Sequence, residues 1–153
     1  MPGPISIRID DSEVRSHIGR LLSRLQNPKP ALNEIGLYMK RSILTNFKEQ
    51  GRPKKWPAVA ARKRDKAAAE KRSKAGKALR GHKILIDTGN LRSSIAYDVQ
   101  RRGVLIGTNV KYAPTHNFGD KARNIPQREF LMFQKNDYPA IMRILKRHVE
   151  GVR

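Results

Sequence analysis

The spacing of apolar residues predicts two helices in the first third of the chain. From Asp11 to Gln26, apolar residues recur every three or four positions, which is the period of an amphipathic helix. These residues are Val14, Ile18, Leu21, Leu22 and Leu25. Asn27-Pro28 ends this helix, and a second is predicted from Ala31 to Lys48. Its apolar stripe consists of Leu32, Ile35, Met39, Ile43 and Phe47. We expect the two helices to pack together or to cover one face of a sheet.

A further long helix is predicted near the carboxyl terminus. Asp137 is placed to cap it, Pro139 suits its first turn, and Gly151 ends it. Its buried face is predicted to consist of Ile141, Ile144, Leu145 and Val149.

Alternating apolar residues predict strands between these helices. Ile5 to Ile9 forms a first short strand, and Ile95 to Arg101 and Val104 to Thr108 form a hairpin around Arg102-Gly103. Gln127 to Phe133 is predicted as a final strand or edge segment. Short helical pieces are expected on either side of the hairpin, at residues 91–94 and 110–119. The pattern predicts a single α+β domain over residues 1–153, with a small antiparallel sheet packed by the amino-terminal and carboxyl-terminal helices.

Positive charge changes this picture most. The chain has 33 Lys and Arg residues against 13 Asp and Glu residues, a formal net charge of +20. Such a surplus is tolerated when anions are near, so composition favours either nucleic acid or an acidic protein surface as partner. The chain has no cysteine, which excludes disulfides and thiolate metal sites. No apolar run reaches the length of a signal peptide or a membrane span, so we expect a protein of a soluble compartment with no membrane partner.

More than half of the net charge lies between Arg52 and Lys83. This segment has 13 basic and 2 acidic residues, a net +11, which leaves 20 − 11 = +9 for the rest of the chain. It is rich in alanine and offers few side chains to bury, so we predict a flexible basic arm inserted in the domain. The arm is either a solvated charged loop or a contact to DNA or an acidic partner. The candidate contact residues are Lys54, Lys55, Arg62, Lys63, Arg64, Lys66, Lys71, Arg72, Lys74, Lys77 and Arg80.

No motif for catalysis or for a cofactor is present. His17, His82, His116 and His148 do not stand at metal-ligand spacing, and the chain has no phosphate-binding glycine loop and no nucleophile elbow. We therefore predict a protein that is not an enzyme and has no metal and no cofactor. The recognised nucleic-acid modules are also missing. Trp56, the one aromatic residue in the basic arm, is expected to anchor the arm to the core rather than to stack on bases.

Four motifs follow one another along the second half of the chain. They are Ile86-Asp87-Thr88-Gly89-Asn90-Leu91-Arg92-Ser93-Ser94-Ile95, Val104-Leu105-Ile106-Gly107-Thr108-Asn109, Tyr112-Ala113-Pro114-Thr115-His116-Asn117-Phe118-Gly119 and Ile125-Pro126-Gln127-Arg128-Glu129-Phe130-Leu131. In this order and spacing, the chain resembles the phage virion morphogenesis family, with its Mu-like G proteins and P2-like tail completion proteins. It also resembles the broader tail-completion and head–tail joining group. The run from Gly51 to Pro57 is similar to the family's segment ahead of its variable loop. The chain departs from the family pattern at Asn117, where Gln is common, and at Glu129, where Pro is frequent.

The resemblance implies a structural virion protein of the tail or neck, assembled in the cytoplasm of the host bacterium. It would complete or terminate the tail and join it to the head as a subunit of a homo-oligomeric ring. Head–tail geometry favours six subunits in this ring. Its partners would be other tail and connector proteins and, through the basic arm, genomic DNA in the lumen. The alternative is a DNA-binding accessory protein in phage packaging or assembly.

The motifs also supply candidate anchors for the fold or for a subunit interface. These are Trp56, Asp87, Leu91, His116, Phe118, Arg128 and Phe130. Asp87 is placed to cap the short helical turn, and Leu91 is expected to face the core. Phe118 and Phe130 are predicted as core or interface anchors. Arg128 lies between such anchors, where it either holds the fold or pairs with a carboxylate of a neighbour.

Overall fold

A computed structural model describes residues 11–57, 83–86 and 88–151. Its elements are α1 (Ser12–Gln26), α2 (Lys29–Glu49), α3 (Asn90–Ser93), β1 (Ala96–Gln100), β2 (Gly103–Gly107), α4 (Ala113–Phe118) and α5 (Asp137–Glu150). Amino-terminal and carboxyl-terminal helices flank a two-stranded antiparallel sheet, which confirms the α+β class. The strand predicted at residues 5–9 and most of the basic arm lie outside the described residues. No helix in the described part of the chain is long and apolar enough to cross a membrane.

Helix α2 is the central element, and it packs against α5 and against both strands. Its apolar stripe is buried as predicted, and it supplies side chains to two core clusters. Near its beginning, Ile35 and Met39 pack with Ile144 of α5. Near its end, Ile43 and Phe47 pack with Leu91 of α3, Ala113 of α4 and Phe130. Each fully buried side chain of this kind stabilises the fold by roughly 1.5–3 kcal/mol.

The hairpin lies on α2 in a regular register. Ala96 pairs with Gly107 and Gln100 pairs with Gly103, so the turn is Arg101-Arg102 and begins one residue earlier than predicted. The face of β1 that carries Tyr97 and Val99 is partly buried, whereas the alternate residues are exposed. A Cβ on Gly36 of α2 would lie 2.3 Å from Cδ2 of Tyr97, so the glycine allows the strand's ring to lie directly on the helix.

Residues 127–133 do not form a strand, contrary to the prediction. Arg128 N donates to the His116 carbonyl, and the next peptide groups bond to side chains instead of to a strand. Phe130 N and Leu131 N donate to Oδ1 of Asn117, at 3.2 and 3.0 Å, and the Phe130 carbonyl accepts from Nδ2 of Asn46 at 2.8 Å. Buried amides need a partner but not a particular one, so polar side chains here take the place of a neighbouring strand.

Helix α1 forms over the predicted residues, but the expectation that it packs on α2 or on the sheet is wrong. It buries no residue. Four of its apolar side chains, at Val14, Ile18, Leu22 and Leu25, expose between 49% and 59% of their surface. Its last turn meets the end of α5, where Nη1 of Arg24 donates to the Val149 carbonyl at 3.1 Å and Nε2 of His148 lies 3.0 Å from the Arg24 carbonyl.

Candidate functional site

The basic segment leaves α2 through a tight left-handed turn. Gln50 and Gly51 have positive φ values of 57° and 106°, and Gly51 N donates to the Asn46 carbonyl at 2.9 Å. A Cβ on Gly51 would lie 2.5 Å from the Lys54 carbonyl oxygen and 2.6 Å from Trp56 N. Only glycine fits this position, because it accepts both the positive φ and the close backbone approach.

The first arginine of the basic segment turns inward onto α2. Nε of Arg52 donates to Oδ1 of Asn46 at 2.9 Å, and its Nη2 donates to the Ser42 carbonyl. The Arg52 carbonyl in turn accepts from Nε2 of Gln134 at 3.1 Å. This arginine therefore holds the segment against the protein.

Trp56 lies in the core and not on the surface. Its ring meets Phe47 edge-on at a centroid distance of 5.6 Å, and Phe47 lies 5.3 Å from Phe130. Nε1 of Trp56 donates to the Glu129 carbonyl at 3.1 Å. A buried tryptophan with its N–H satisfied is a typical packing anchor, and its face is covered against stacking on bases.

Arg128 binds the backbone of the basic segment at Pro57. Its side chain is buried, and Nε donates to the Pro57 carbonyl at 3.0 Å. Arg128 N donates to the His116 carbonyl at 2.8 Å, which ties this segment to α4. Burial lowers the pKa of Arg128 from its usual value. That Arg128 reaches a neighbour's carboxylate stays a prediction.

Gln50 holds the other end of the segment. Its Nε2 donates to the Ile84 carbonyl at 3.2 Å, and its Oε1 accepts from Ile84 N. Pro57 and Ile84 are thus both held, the first by Arg128 and the second by Gln50, the residue that follows α2. We call residues 50–57 together with Ile84 and Arg128 the base of the basic segment.

Two of the predicted charge contacts lie on this base. Lys54 and Lys55 are exposed, and Nζ of Lys55 lies 3.9 Å from the Glu49 carboxylate and also donates to its carbonyl. The other nine, which lie outside the described residues, are Arg62, Lys63, Arg64, Lys66, Lys71, Arg72, Lys74, Lys77 and Arg80.

The remaining predicted anchors are divided between core and surface. Leu91 and Phe130 are buried in the same cluster as Trp56, whereas Phe118 is 72% exposed. His116 is half-buried, and Asp87 lies outside the described residues. Sequence reasoning missed Asn46 and Asn117 as structural residues. An asparagine among the buried positions of an apolar helix stripe, as Asn46 is, was the available signal.

A cavity of about 800 Å³ opens beside the base. Its lining includes Ile84, Leu91, Tyr112, His116, Ile125 and Arg128. Nδ1 of His116 is buried there with no hydrogen-bond partner in the described part of the chain. Within residues 11–57, 83–86 and 88–151, no group of three His, Asp or Glu side chains is placed to hold a metal ion. Its polar lining includes His116, Arg123 and Arg128 beside the apolar side chains, a combination that is typical of small-ligand pockets.

Comparison with known proteins gives two matches and one negative result. The chain matches the model of the phage virion morphogenesis family over residues 9–150, a span that includes every described helix and strand. It is 30% identical over 144 residues to Mu-like prophage FluMu G protein 2 of Haemophilus influenzae. This alignment covers 90% of this chain and 91% of that protein. No solved structure matches the chain.

Proposed function

The chain belongs to the phage virion morphogenesis family, and from this premise we propose that it completes or terminates the phage tail and joins it to the head. In this proposal it acts as a ring subunit of the tail or neck, with other tail proteins and the connector as partners. Its role is structural rather than catalytic. A part in phage virion morphogenesis follows from the family, and the position, the ring and the partners are the content of the proposal.

The observation that carries the proposal is the base of the basic segment. A segment with net charge +11 is held at both ends beside the end of α2, by Arg128 at Pro57 and by Gln50 at Ile84. In a ring, every subunit would present this charge from the same place, either at a rim or in the lumen. Contacts of Lys and Arg to phosphates are independent of sequence, which suits a passage for a whole genome. An acidic surface on an adjacent ring would be held by the same charge.

The same segment also supports the second candidate, a DNA-binding accessory protein that forms no ring. The two are separated by the assembly state. For the ring subunit, we expect native mass spectrometry of the purified protein, or of virion-derived protein, to show closed oligomers of one stoichiometry, with six copies favoured. A monomer at high concentration that is also absent from purified particles would overturn the tail role.

Electron microscopy of particles from a phage lacking this gene tests the position. Free full heads beside tails of abnormal length would identify a tail terminator. Tails of normal length that fail to attach to full heads would identify a completion or joining protein. Normal infectious particles would contradict both.

Deletion of residues 60–80 tests the role of the charge. Because Arg128 and Gln50 hold the chain on both sides of this stretch, a short Gly-Ser linker between them leaves the base in place. We expect particles with this variant to lose DNA retention or head–tail joining. The matched control keeps the length and replaces each Lys and Arg of the stretch with Gln, and it should fail in the same way. Normal joining by both variants would reduce the segment to a solvated loop.

A further inference from the structure

The cavity beside the base brings separate stretches of the chain together. It is lined by residues 84–85, residues 88–91, Tyr112, His116, residues 123–126 and Arg128. Three of the four motifs of the second half of the chain therefore meet at one place. Its volume of about 800 Å³ lies within the range of about 300–1,000 Å³ that is usual for ligand pockets. The tail role proposed above rests on the basic segment and gives this cavity no part.

Much of the cavity wall is apolar. Ile84, Leu85, Leu91 and Ile125 contribute aliphatic side chains, of which Leu91 is buried and the other three are half-buried. An aliphatic or aromatic group that lies on these side chains is removed from water, which stabilises its binding. A hydrated phosphate or a metal ion gains nothing from such a surface. This part of the wall therefore favours a ligand with an apolar body.

Hydrogen-bond donors accompany the apolar side chains. The side-chain amides of Asn90 and Asn124 and the hydroxyl of Tyr112 line the cavity, and they bond to no other group in the part of the chain that the structure describes. Nδ1 of His116 is buried in the same wall, also without a partner among the described residues. Because a buried polar atom without a partner is costly, a ligand group that bonds to Nδ1 would stabilise the protein.

Two arginines give the cavity a positive charge. Nε of Arg123 donates to the Asp120 carboxylate at 2.7 Å and its Nη2 donates to Oγ1 of Thr115 at 3.1 Å, which orients the guanidinium and leaves Nη1 available. Burial, and then the charges of Arg128 and Arg123, lower the pKa of His116, because both guanidinium charges act on this wall. No Asp or Glu is among the described residues that line the cavity. The charge therefore favours an anionic ligand.

Two residues of the wall have a left-handed backbone although neither is glycine. Leu85 has a φ of 61° and Asn124 has a φ of 52°. Asparagine tolerates this conformation, but a bulky side chain such as that of leucine rarely adopts it. The surrounding structure must offset the strain, and strained residues of this kind concentrate at sites that bind ligands. The conformation of Leu85 thus indicates a functional wall rather than one formed by packing alone.

We propose that this cavity binds a carboxylate carried on an apolar body. The carboxylate accepts a charge-assisted hydrogen bond from Nη1 of Arg123, and the apolar body lies on Leu91 and Ile125. Two sources supply this chemistry. One is a free aliphatic or aromatic acid, and the other is an acidic side chain flanked by apolar residues in a partner protein. The site requires neither a ring nor DNA, so it stands or fails independently of the proposed tail role.

Titration of the full-length protein with hexanoate, acetate and hexan-1-ol tests both parts of the ligand. The methyl NMR signals of Leu85, Leu91 and Ile125 report binding, and they are observable in a monomer and in a closed ring. Hexanoate is expected to shift these signals to saturation. It should bind at least tenfold more tightly than acetate, which lacks the apolar body, or hexan-1-ol, which lacks the charge. Unshifted methyl signals, or equal affinities for hexanoate and acetate, would overturn the proposal.

A pair of arginine variants separates this site from the general attraction of anions to a basic protein. Arg123→Gln is expected to weaken hexanoate binding at least tenfold and to leave hexan-1-ol binding unchanged. Arg92→Gln is the matched control, because it removes the same charge from α3 beside Leu91 but does not line the cavity. Both arginines are exposed, so both variants should keep the methyl spectrum of the folded protein. Equal weakening by the two would refute the site.

A competition experiment identifies the source of the carboxylate. The competitor is a capped pentapeptide of leucine and alanine with one central glutamate, and its control has glutamine in place of the glutamate. Displacement of hexanoate by the glutamate peptide alone would support the site and assign it to an acidic side chain of a partner protein. Hexanoate binding that neither peptide displaces would support the site and assign it to a free acid. Displacement by both peptides alike would contradict recognition of the carboxylate.

Discussion

Buried polar side chains hold the segment that packs on the base. Asn117 accepts two backbone N–H groups of residues 130 and 131, Asn46 donates to the Phe130 carbonyl, and Trp56 donates to the Glu129 carbonyl. Each bond contributes a net of about 1 kcal/mol, but the loss of one partner leaves a buried group unsatisfied, which costs about 1–3 kcal/mol. The segment is fixed by these few residues, so single substitutions are informative.

Asn117→Ala is expected to lower the free energy of unfolding by about 2–4 kcal/mol, because it leaves two backbone N–H groups without an acceptor. Urea unfolding followed by fluorescence measures this directly, since the chain has one tryptophan, Trp56, and it is buried beside this segment. Asn109→Ala, at an exposed position, is the control and should change stability by less than about 0.5 kcal/mol. Equal effects of the two would contradict the role of Asn117.

His116 makes stability depend on pH. Burial, and then the charges of Arg128 and Arg123, lower the pKa of His116 below its usual value. The folded protein therefore binds this proton less readily than the unfolded chain, and stability is lost as pH falls through the unfolded-state pKa of about 6.5. We expect the urea midpoint to drop between about pH 7.5 and about pH 5.5, and to drop less in His116→Gln. His17→Gln, exposed on α1, should keep the wild-type dependence. If His116→Gln and the wild type have identical pH profiles, a different group causes the loss of stability.

At the scale of elements, the end of α2 determines where the basic segment begins. Gly51→Ala is expected to destabilise the protein by at least about 2 kcal/mol, because the new Cβ requires a strained φ and meets backbone atoms. Trp56 follows this turn directly, so its fluorescence should also shift to longer wavelength. Gly103→Ala is the matched control, since a Cβ there has no atom within 4 Å. Comparable losses in the two variants would mean that the turn at Gly51 is not specifically required.

Apolar periodicity predicted the helices and strands that pack on other helices and strands. The stripe of α2, the alternation in the hairpin and the extent of α5 follow from burial of one face, and one buried face leaves a periodic trace in the sequence. The turn after β1 was misplaced by one residue because Gly103 was taken into the turn, whereas it pairs with Gln100 as the first residue of β2.

Two other predictions were wrong because periodicity reports a face and not its partner. Residues 127–133 were predicted as a final strand or edge segment, but the side chains of Asn46, Asn117 and Trp56 bond to their peptide groups, and side-chain partners leave no periodic trace. The stripe of α1 was predicted correctly and its burial within the chain was not. An apolar stripe has the same pattern whether its partner is in the same chain or in another. The base of the basic segment was predicted only in part. Trp56 could be predicted as an anchor from the sequence, but the link between Gln50 and Ile84 could not.

At the scale of the whole molecule, positive charge opposes assembly. Each copy has a net charge of +20, so every subunit added to the proposed ring would be repelled by those already present. Counterions must offset this repulsion. In a virion, DNA or an acidic neighbouring protein would supply the negative charge.

Assembly of the purified protein is therefore expected to increase with salt, because the Debye length falls from about 10 Å at 0.1 M to about 3 Å at 1 M. Residues 60–80 contain nine basic and two acidic residues, so their deletion lowers the net charge from +20 to 20 − 7 = +13. The deletion variant should reach half-assembly at lower NaCl than the full chain, as measured by light scattering at one protein concentration. Ser16→Glu, which changes the charge of α1 alone, should stay close to the wild-type midpoint. If assembly instead decreases with salt, the contacts between copies are ionic, and repulsion between the positive charges is not what limits assembly.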